Sequence, residues 1–380
     1  MTVIRTVLGA STALVLGTLT AQAGGIDRSG QGLGALFEKG RYFELSFGSV
    51  QPTVSGNDVA LFGGGATGDV AGDYTQFALS YKYDINDRLS FALNIDQPFG
   101  ADVVYGASSV ALGNTRAYAE SLGITGLLRY KFSDNVSVHG GIRADQASAV
   151  IDLRGAAYGA LGGYSVNLGN DWALGYVVGA AYEIPDIALR VAVTYNSAIE
   201  HDFQSVETGL PGPLAVFNGV TSTTSVETPQ SVNIDFQSGI AEDTLLFGQI
   251  RWVDWSSFKL RPPAFIQAPG QTDGLIALED TITYSLGVGR RFNETWAGSV
   301  SVSYEATGSS NLVSPLAPTD GRLGLTVGGT YTKDNMKVSF GVNYTQLGDA
   351  QPETGTPDTA RASMTGSTAV GIGVKVGWSF

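Results

Sequence analysis

Two histidines and no cysteine bound the chemistry open to this 380-residue chain. His139, in VSVHGGIRAD, and His201, which is read as starting a loop beside Asp202, are the candidate imidazole bases. A barrel lipase or protease would pair one of them with an activated nucleophile, and no nucleophile motif stands near either. No catalytic residue is assigned. Without thiols there is no disulfide framework and no thiolate metal site. No metal-ligating cluster or phosphate-cradling loop is visible, so neither metal nor cofactor is expected.

The remaining candidates are groups that could bind. Arg116, Arg154, Lys259, Arg261 and Arg361 fall in segments that read as loops. A loop cation beside apolar surface could meet a carboxylate; the alternative for each is an ordinary solvated charge. Three of the loops are oddly apolar: GADVVYGASSVALGN, GLPGPLAVFNGV and PPAFIQAPG. Their residues Val103, Val104, Tyr105, Leu214, Phe217, Phe265 and Ile266 need a reason to face water, and a landing site for a greasy ligand is one. Loops packing on one another as a cap is the other.

The elements that must position these residues are strands. The last twelve residues, AVGIGVKVGWSF, put Val370, Ile372, Val374, Val376, Trp378 and Phe380 on one face and Gly371, Gly373, Lys375, Gly377 and Ser379 on the other. Lipid on one side and a watery lumen on the other demand this alternation. Ahead of the strands, Arg5, a short apolar stretch and Ala21-Gln22-Ala23 read as a signal peptide over 1–23. Beyond it no apolar run approaches the length of a membrane helix. Fifty-one glycines and 15% charged residues fit an outer-membrane barrel, with an exported β-sandwich or solenoid as the rival. The acidic balance, 35 against 22 basic residues, argues against nucleic acid as a partner.

Alternating segments follow one another as hairpins with tight turns such as Asn86-Asp87, Ser133-Asp134-Asn135 and Lys333-Asp334-Asn335, separated by long loops. Fourteen strands result, with short turns at one end and long loops at the other. The expectation is an all-β chain: a 14-stranded antiparallel transmembrane barrel over 41–380, preceded by a short plug segment over 24–40. Closure satisfies every backbone polar group, and a lipid-facing Lys at mid-membrane would cost roughly 2–4 kcal/mol, so rows such as Lys337, Ser339 and Asn343 must face the lumen. Lumen charges Arg143, Arg190, Arg251, Asp96 and Asp235 could equally build the constriction of a diffusion porin for polar solutes. Pro98 is out of place in a ladder. It either ends the third strand or interrupts it, opening the wall around Asp96, Pro98, Phe99 and Gly100.

Several stretches resemble the FadL family of outer-membrane long-chain fatty acid transporters, whose relatives carry aromatic hydrocarbons. They are SGQGLG, PFG at 98–100, TPQSVNIDF with IRWVDWSSF, ITYSLGVGRRFNETW and PTDGRLGLTVGGTYTKDNMKVSFGVNY. The resemblance implies a 14-strand barrel, a plug, capture of hydrophobic ligand by apolar loops and release sideways, beside a kinked third strand, into outer-membrane lipid. Two departures stand out. The plug is short and lacks the family's Asn-Pro-Ala stretch, and Glu279 stands where a family lysine would precede ITYSLG. Hydrophobic small molecules are the expected partners, fatty acids first and aromatic or alkane hydrocarbons second. The barrel assembly machinery is expected to recognise the strand ending at Phe380.

Overall fold

The computed structural model describes residues 26–355 and 357–380; the expected leader at 1–23 lies outside them. Fourteen barrel strands close into one antiparallel sheet, three of them interrupted. They are β1 (Tyr42–Thr53), β2 (Tyr74–Asp84), β3 (Leu89–Asp96, then Gly100–Val104), β4 (Arg116–Lys131), β5 (Val136–Asp152), β6 (Ser165–Ile184), β7 (Leu189–Asn196, then Ile199–Thr208), β8 (Thr221–Thr228, then Ser231–Ala241), β9 (Thr244–Val253), β10 (Thr281–Arg291), β11 (Trp296–Glu305), β12 (Arg322–Lys333), β13 (Met336–Leu347) and β14 (Thr368–Ser379). The first and last strands close the ring in unbroken register, from Tyr42 opposite Ser379 to Thr53 opposite Thr368.

Side-chain period sets which way each residue faces. On β14, Val370, Ile372 and Val374 are exposed on the outer wall while Gly371 and Gly377 are buried within. Lys375 on the inner row approaches Glu44 of β1 at 3.7 Å. The same rule puts Tyr284, Leu286, Val300, Val302, Leu325 and Val327 outside. An apolar belt facing solvent all around a barrel is stable only in lipid.

One end of the barrel carries the tight turns. Asn86 caps the β2–β3 turn by accepting from the N–H groups of Arg88 and Leu89, both at 2.9 Å, and Asp243 and Asp334 take the left-handed turn conformation (φ 56° and 53°) that Asp tolerates better than most residues. At the other end the wall is uneven. Strands β4 to β6 run 16, 17 and 20 residues, well beyond the 9–11 or so that cross a membrane. The Gly-, Pro- and Thr-rich stretch before residue 231, expected to be loop, instead contains a hairpin, Ile199–Thr208 against Thr221–Thr228. His201 is therefore a buried strand residue and does not start a loop. The β-forming run TSTTSVET is what made this possible.

Above the barrel the loops share a second apolar core that includes Tyr105, Leu112, Tyr164, Phe203, Phe265, Leu316 and Met364. Buried Glu207 of β7 ties two loops into it, accepting from the Tyr164 hydroxyl (2.8 Å) and the N–H groups of Ala264 and Phe265 (2.9 and 2.8 Å).

Val374 lies on the lipid face near the middle of β14. Val374→Arg should cost roughly 2–4 kcal/mol and lower the urea midpoint for folding into liposomes; an unchanged midpoint would place that face away from lipid.

Candidate functional site

The hydrogen-bond ladder of the wall is breached at β3. Its first half pairs with β2 from Leu79 opposite Ile95 to Asp84 opposite Ser90, and with β4 from Leu89 opposite Tyr130 to Asp96 opposite Gly123. Then Gln97, Pro98 and Phe99 leave the ladder. Pairing with β4 resumes at Gly100 opposite Glu120, so three residues of β3 stand against two of β4, a bulge. Pro98 brings no N–H to the ladder. Phe99 is held by Ser121, whose hydroxyl accepts its N–H and donates to its carbonyl, both at 2.9 Å. Residues 100–104 do not pair with β2, which goes on pairing with β1 as far as Tyr74.

An unpaired edge at membrane depth must be satisfied otherwise. The N-terminal segment does so from inside: the Arg28 N–H donates to the Pro98 carbonyl and the Gly100 N–H to the Ile26 carbonyl, both at 2.8 Å. Farther out, Gly72 donates to Asp102 (2.9 Å) and Val104 to Val70 (2.8 Å). On the facing edge, the Phe77 N–H reaches the Gln97 side chain at 3.0 Å.

Buried polar contacts fix this segment in place. Asp27 receives Arg251 Nε at 2.7 Å, and Arg251 also donates to Asn233 and Ser231. Gly30 and Gln31 turn the chain at positive φ, bringing the Gly30 carbonyl to Asn233 (3.0 Å) and the Gln31 side chain to Ser231 (2.8 Å). Ser29 donates to Asp96, the last residue before the breach, at 2.5 Å. Toward the turn end, Leu36 packs on Ala92, Leu127 and Val177. Phe37 is clamped between the guanidiniums of Arg129 and Arg190, 4.6 and 4.4 Å from its centroid. The segment thus touches opposite walls of the lumen. From the WVDWSSF stretch, buried Trp255 packs edge-on against Phe99 (5.6 Å between centroids) and against Phe258.

Beside the breach lies a cavity of about 80 Å³, lined by Ile26 and Arg28 of the segment, Tyr74 of β2, Gly100, Ala101, Asp102 and Val103 of β3, and a roof from Leu316 to Thr319. Its walls are apolar apart from Arg28, Asp102 and a few hydroxyls. Arg28 spans it: Nε donates to the Gly100 carbonyl at 2.8 Å, and the guanidinium carbon sits 3.4 Å from the centre of the Tyr74 ring.

Of the residues singled out in the sequence, Gly100 and Val103 line this cavity, while Asp96, Pro98 and Phe99 form the breach itself. Val103, Tyr105 and Phe265 belong to the buried loop core, with Leu214 and Ile266 packed at its margin. Val104 and Phe217 are exposed. None of the singled-out cations reaches the cavity. Arg154 is spent on the carbonyls of Leu153 and Tyr164 and on Asp152 and Ser165. Arg361 binds Thr354, Arg116 lies near the Tyr118 ring, and Arg261 is exposed and Lys259 half-buried in their loop. Glu279 accepts from Ser309 between two loops. Arg28 was missed; a cation in a segment expected to plug the lumen was the available signal.

A family model described as outer membrane protein transport protein (OMPP1/FadL/TodX) matches residues 35–380. The chain belongs to that family. A Pseudomonas aeruginosa FadL homologue has a similar fold at TM-score 0.70 and 15% identity, with 91% of this chain and 92% of that one covered. The Ralstonia pickettii toluene transporter TbuX (TM-score 0.61, 15% identity, 91% and 90% covered) and the Pseudomonas putida toluene transporter TodX (0.60, 14%, 90% of each chain) are likewise similar. No curated protein matches. The chain is a bacterial outer-membrane transporter of hydrophobic compounds.

The loop between β13 and β14 contributes Ala362 and Met364 to the loop core. Within it, burial, reinforced by the Asp358 carboxylate and opposed by Arg361, pushes Glu353 up to about 7. A raised folded-state pKa means the neutral acid is the favoured form. Loop stability should therefore fall as pH rises from the free-carboxylate range, about 4.3, through 7, and level off above. Hydrogen-exchange protection of residues 348–364 should follow this curve, and Glu353→Gln should flatten it; equal pH dependence in both proteins would contradict the assignment.

Proposed function

We propose that the chain takes up long-chain fatty acids passively, capturing them at its outer loops and releasing them sideways into the membrane through the breach in β3. The observation that carries this reading is the loss of β2–β3 pairing beyond Ile95 directly beside an apolar cavity whose lining includes both edges of the breach. Physical chemistry supports the sideways route. At roughly 0.8 kcal/mol per CH₂, pushing a long acyl chain into periplasmic water would cost on the order of 10 kcal/mol, a penalty that transfer into lipid avoids.

Exposed Val104, Val216, Phe217 and Val220 supply apolar surface for first contact. At about 80 Å³ the cavity falls short of the roughly 150 Å³ that admits benzene, so cargo must displace part of the lining, of which Ile26, Arg28 and the roof residues 316–319 belong to no barrel strand. Aromatic or alkane hydrocarbons are the second reading, favoured by a lining in which Arg28 and Asp102 offset each other. A polar-solute porin is less well supported, because Arg251, Asp96 and Arg190 hold the segment inside the lumen.

A side chain at Gly100 would meet the Ala119 carbonyl at 3.2 Å and Arg28 Nε at 3.3 Å. Gly100→Trp should cut uptake of oleate and of toluene at least tenfold while the amount of heat-modifiable barrel stays the same. Undiminished uptake of both would put the exit elsewhere.

A further inference from the structure

We propose that Arg28 is the carboxylate-binding and selectivity-determining residue of this transporter, set across the interrupted β2–β3 edge where an acidic cargo pairs with it. The proposal rests on the sideways route above and assigns the group that distinguishes an acid from a hydrocarbon.

Position is the first argument. Arg28 touches both edges of the breach at once, the Gly100 carbonyl of β3 through Nε and the Tyr74 ring of β2 through its guanidinium face. Those two strands share no ladder at this level, so the Arg28 side chain bridges edges that the backbone leaves apart. Its own backbone N–H, on the Pro98 carbonyl, anchors the bridge at the bulge.

Charge is the second argument. Among the described residues lining the cavity, Arg28 is the one cation and Asp102 the one anion. A carboxylate brought into an apolar cavity is costly unless it is paired and hydrogen-bonded, and a guanidinium offers a planar fork suited to two carboxylate oxygens. With Nε on Gly100 and the face on Tyr74, the Nη1–Nη2 edge of the same guanidinium is the fork that takes the two carboxylate oxygens. A hydrocarbon makes no such pairing and must pass by displacing apolar contacts alone. Asp102, lining the same cavity, disfavours a second carboxylate there.

The test compares oleate and toluene uptake by the full-length protein in outer-membrane vesicles, with barrel quantity normalised by heat-modifiable mobility. Arg28→Gln should lower the oleate-to-toluene uptake ratio at least tenfold, and Asp102→Asn should raise it. An unchanged ratio in Arg28→Gln, or a lowered one in Asp102→Asn, would overturn the proposal. Should Arg28→Gln not assemble, Asp102→Asn decides alone. Gly100→Trp separates the two levels: if it leaves both cargoes unhindered, the sideways route fails, whereas if it blocks both while Arg28→Gln leaves the ratio unchanged, only the role of Arg28 fails.

Discussion

At membrane depth no water is available to an unpaired backbone N–H or carbonyl, and the rest of this structure follows from how that demand is met. Thirteen of the junctions between neighbouring strands answer it mainly by ladder pairing. At the β2–β3 junction the ladder stops, and the free edge of β3 is satisfied by other backbone: Ile26 and Arg28 of the lumen segment opposite Pro98 and Gly100, then Val70 and Gly72 of the β1–β2 loop opposite Asp102 and Val104. An edge capped in this way is left without a neighbouring strand. The ladder can therefore be interrupted without leaving its polar groups unmet.

That arrangement makes the N-terminal segment the keystone, and buried charge is what seats it. Breaking a buried pair by removing one partner typically costs about 3–5 kcal/mol, and Asp27 with Arg251 is such a pair, surrounded by Asn233, Ser231 and Gln31. The lumen charges that could have lined a polar pore are used instead to hold a strip of sixteen or so residues against the bulge. Trp255 and Phe99 connect the same spot to the opposite wall through an apolar contact, so the bulge is fixed from the lumen by both polar and apolar neighbours.

Strand number, facing and the position of the break were legible because each follows from local rules. Period-two alternation fixes which row meets lipid, and a proline cannot donate to a ladder, so Pro98 marks its own disruption. The hairpin at Ile199–Thr208 was not legible, because hydroxyl-rich residues in an extraordinary setting above the membrane read like loop. His201 shows the consequence: it is buried between Asp145 and Asp171, contacts that join residues far apart in the chain. The cavity was hidden for a similar reason. Arg28, Tyr74 and Gly100 meet only when three separate segments converge, whereas cations in apolar loops, such as Arg154 and Arg361, turn out to be occupied by carbonyls and hydroxyls of their own loops.

The central claim is the path that cargo takes, and it can be read directly. A long-chain fatty acid bearing a terminal diazirine, photolysed during uptake in outer-membrane vesicles, should leave its label on Tyr74, Phe77, Ala101 and Val103, the residues flanking the breach. Label confined to the inward rows of the far wall, at Gln249, Ser285 and Ser301, with none beside β3, would show that cargo runs down the lumen and would contradict the account.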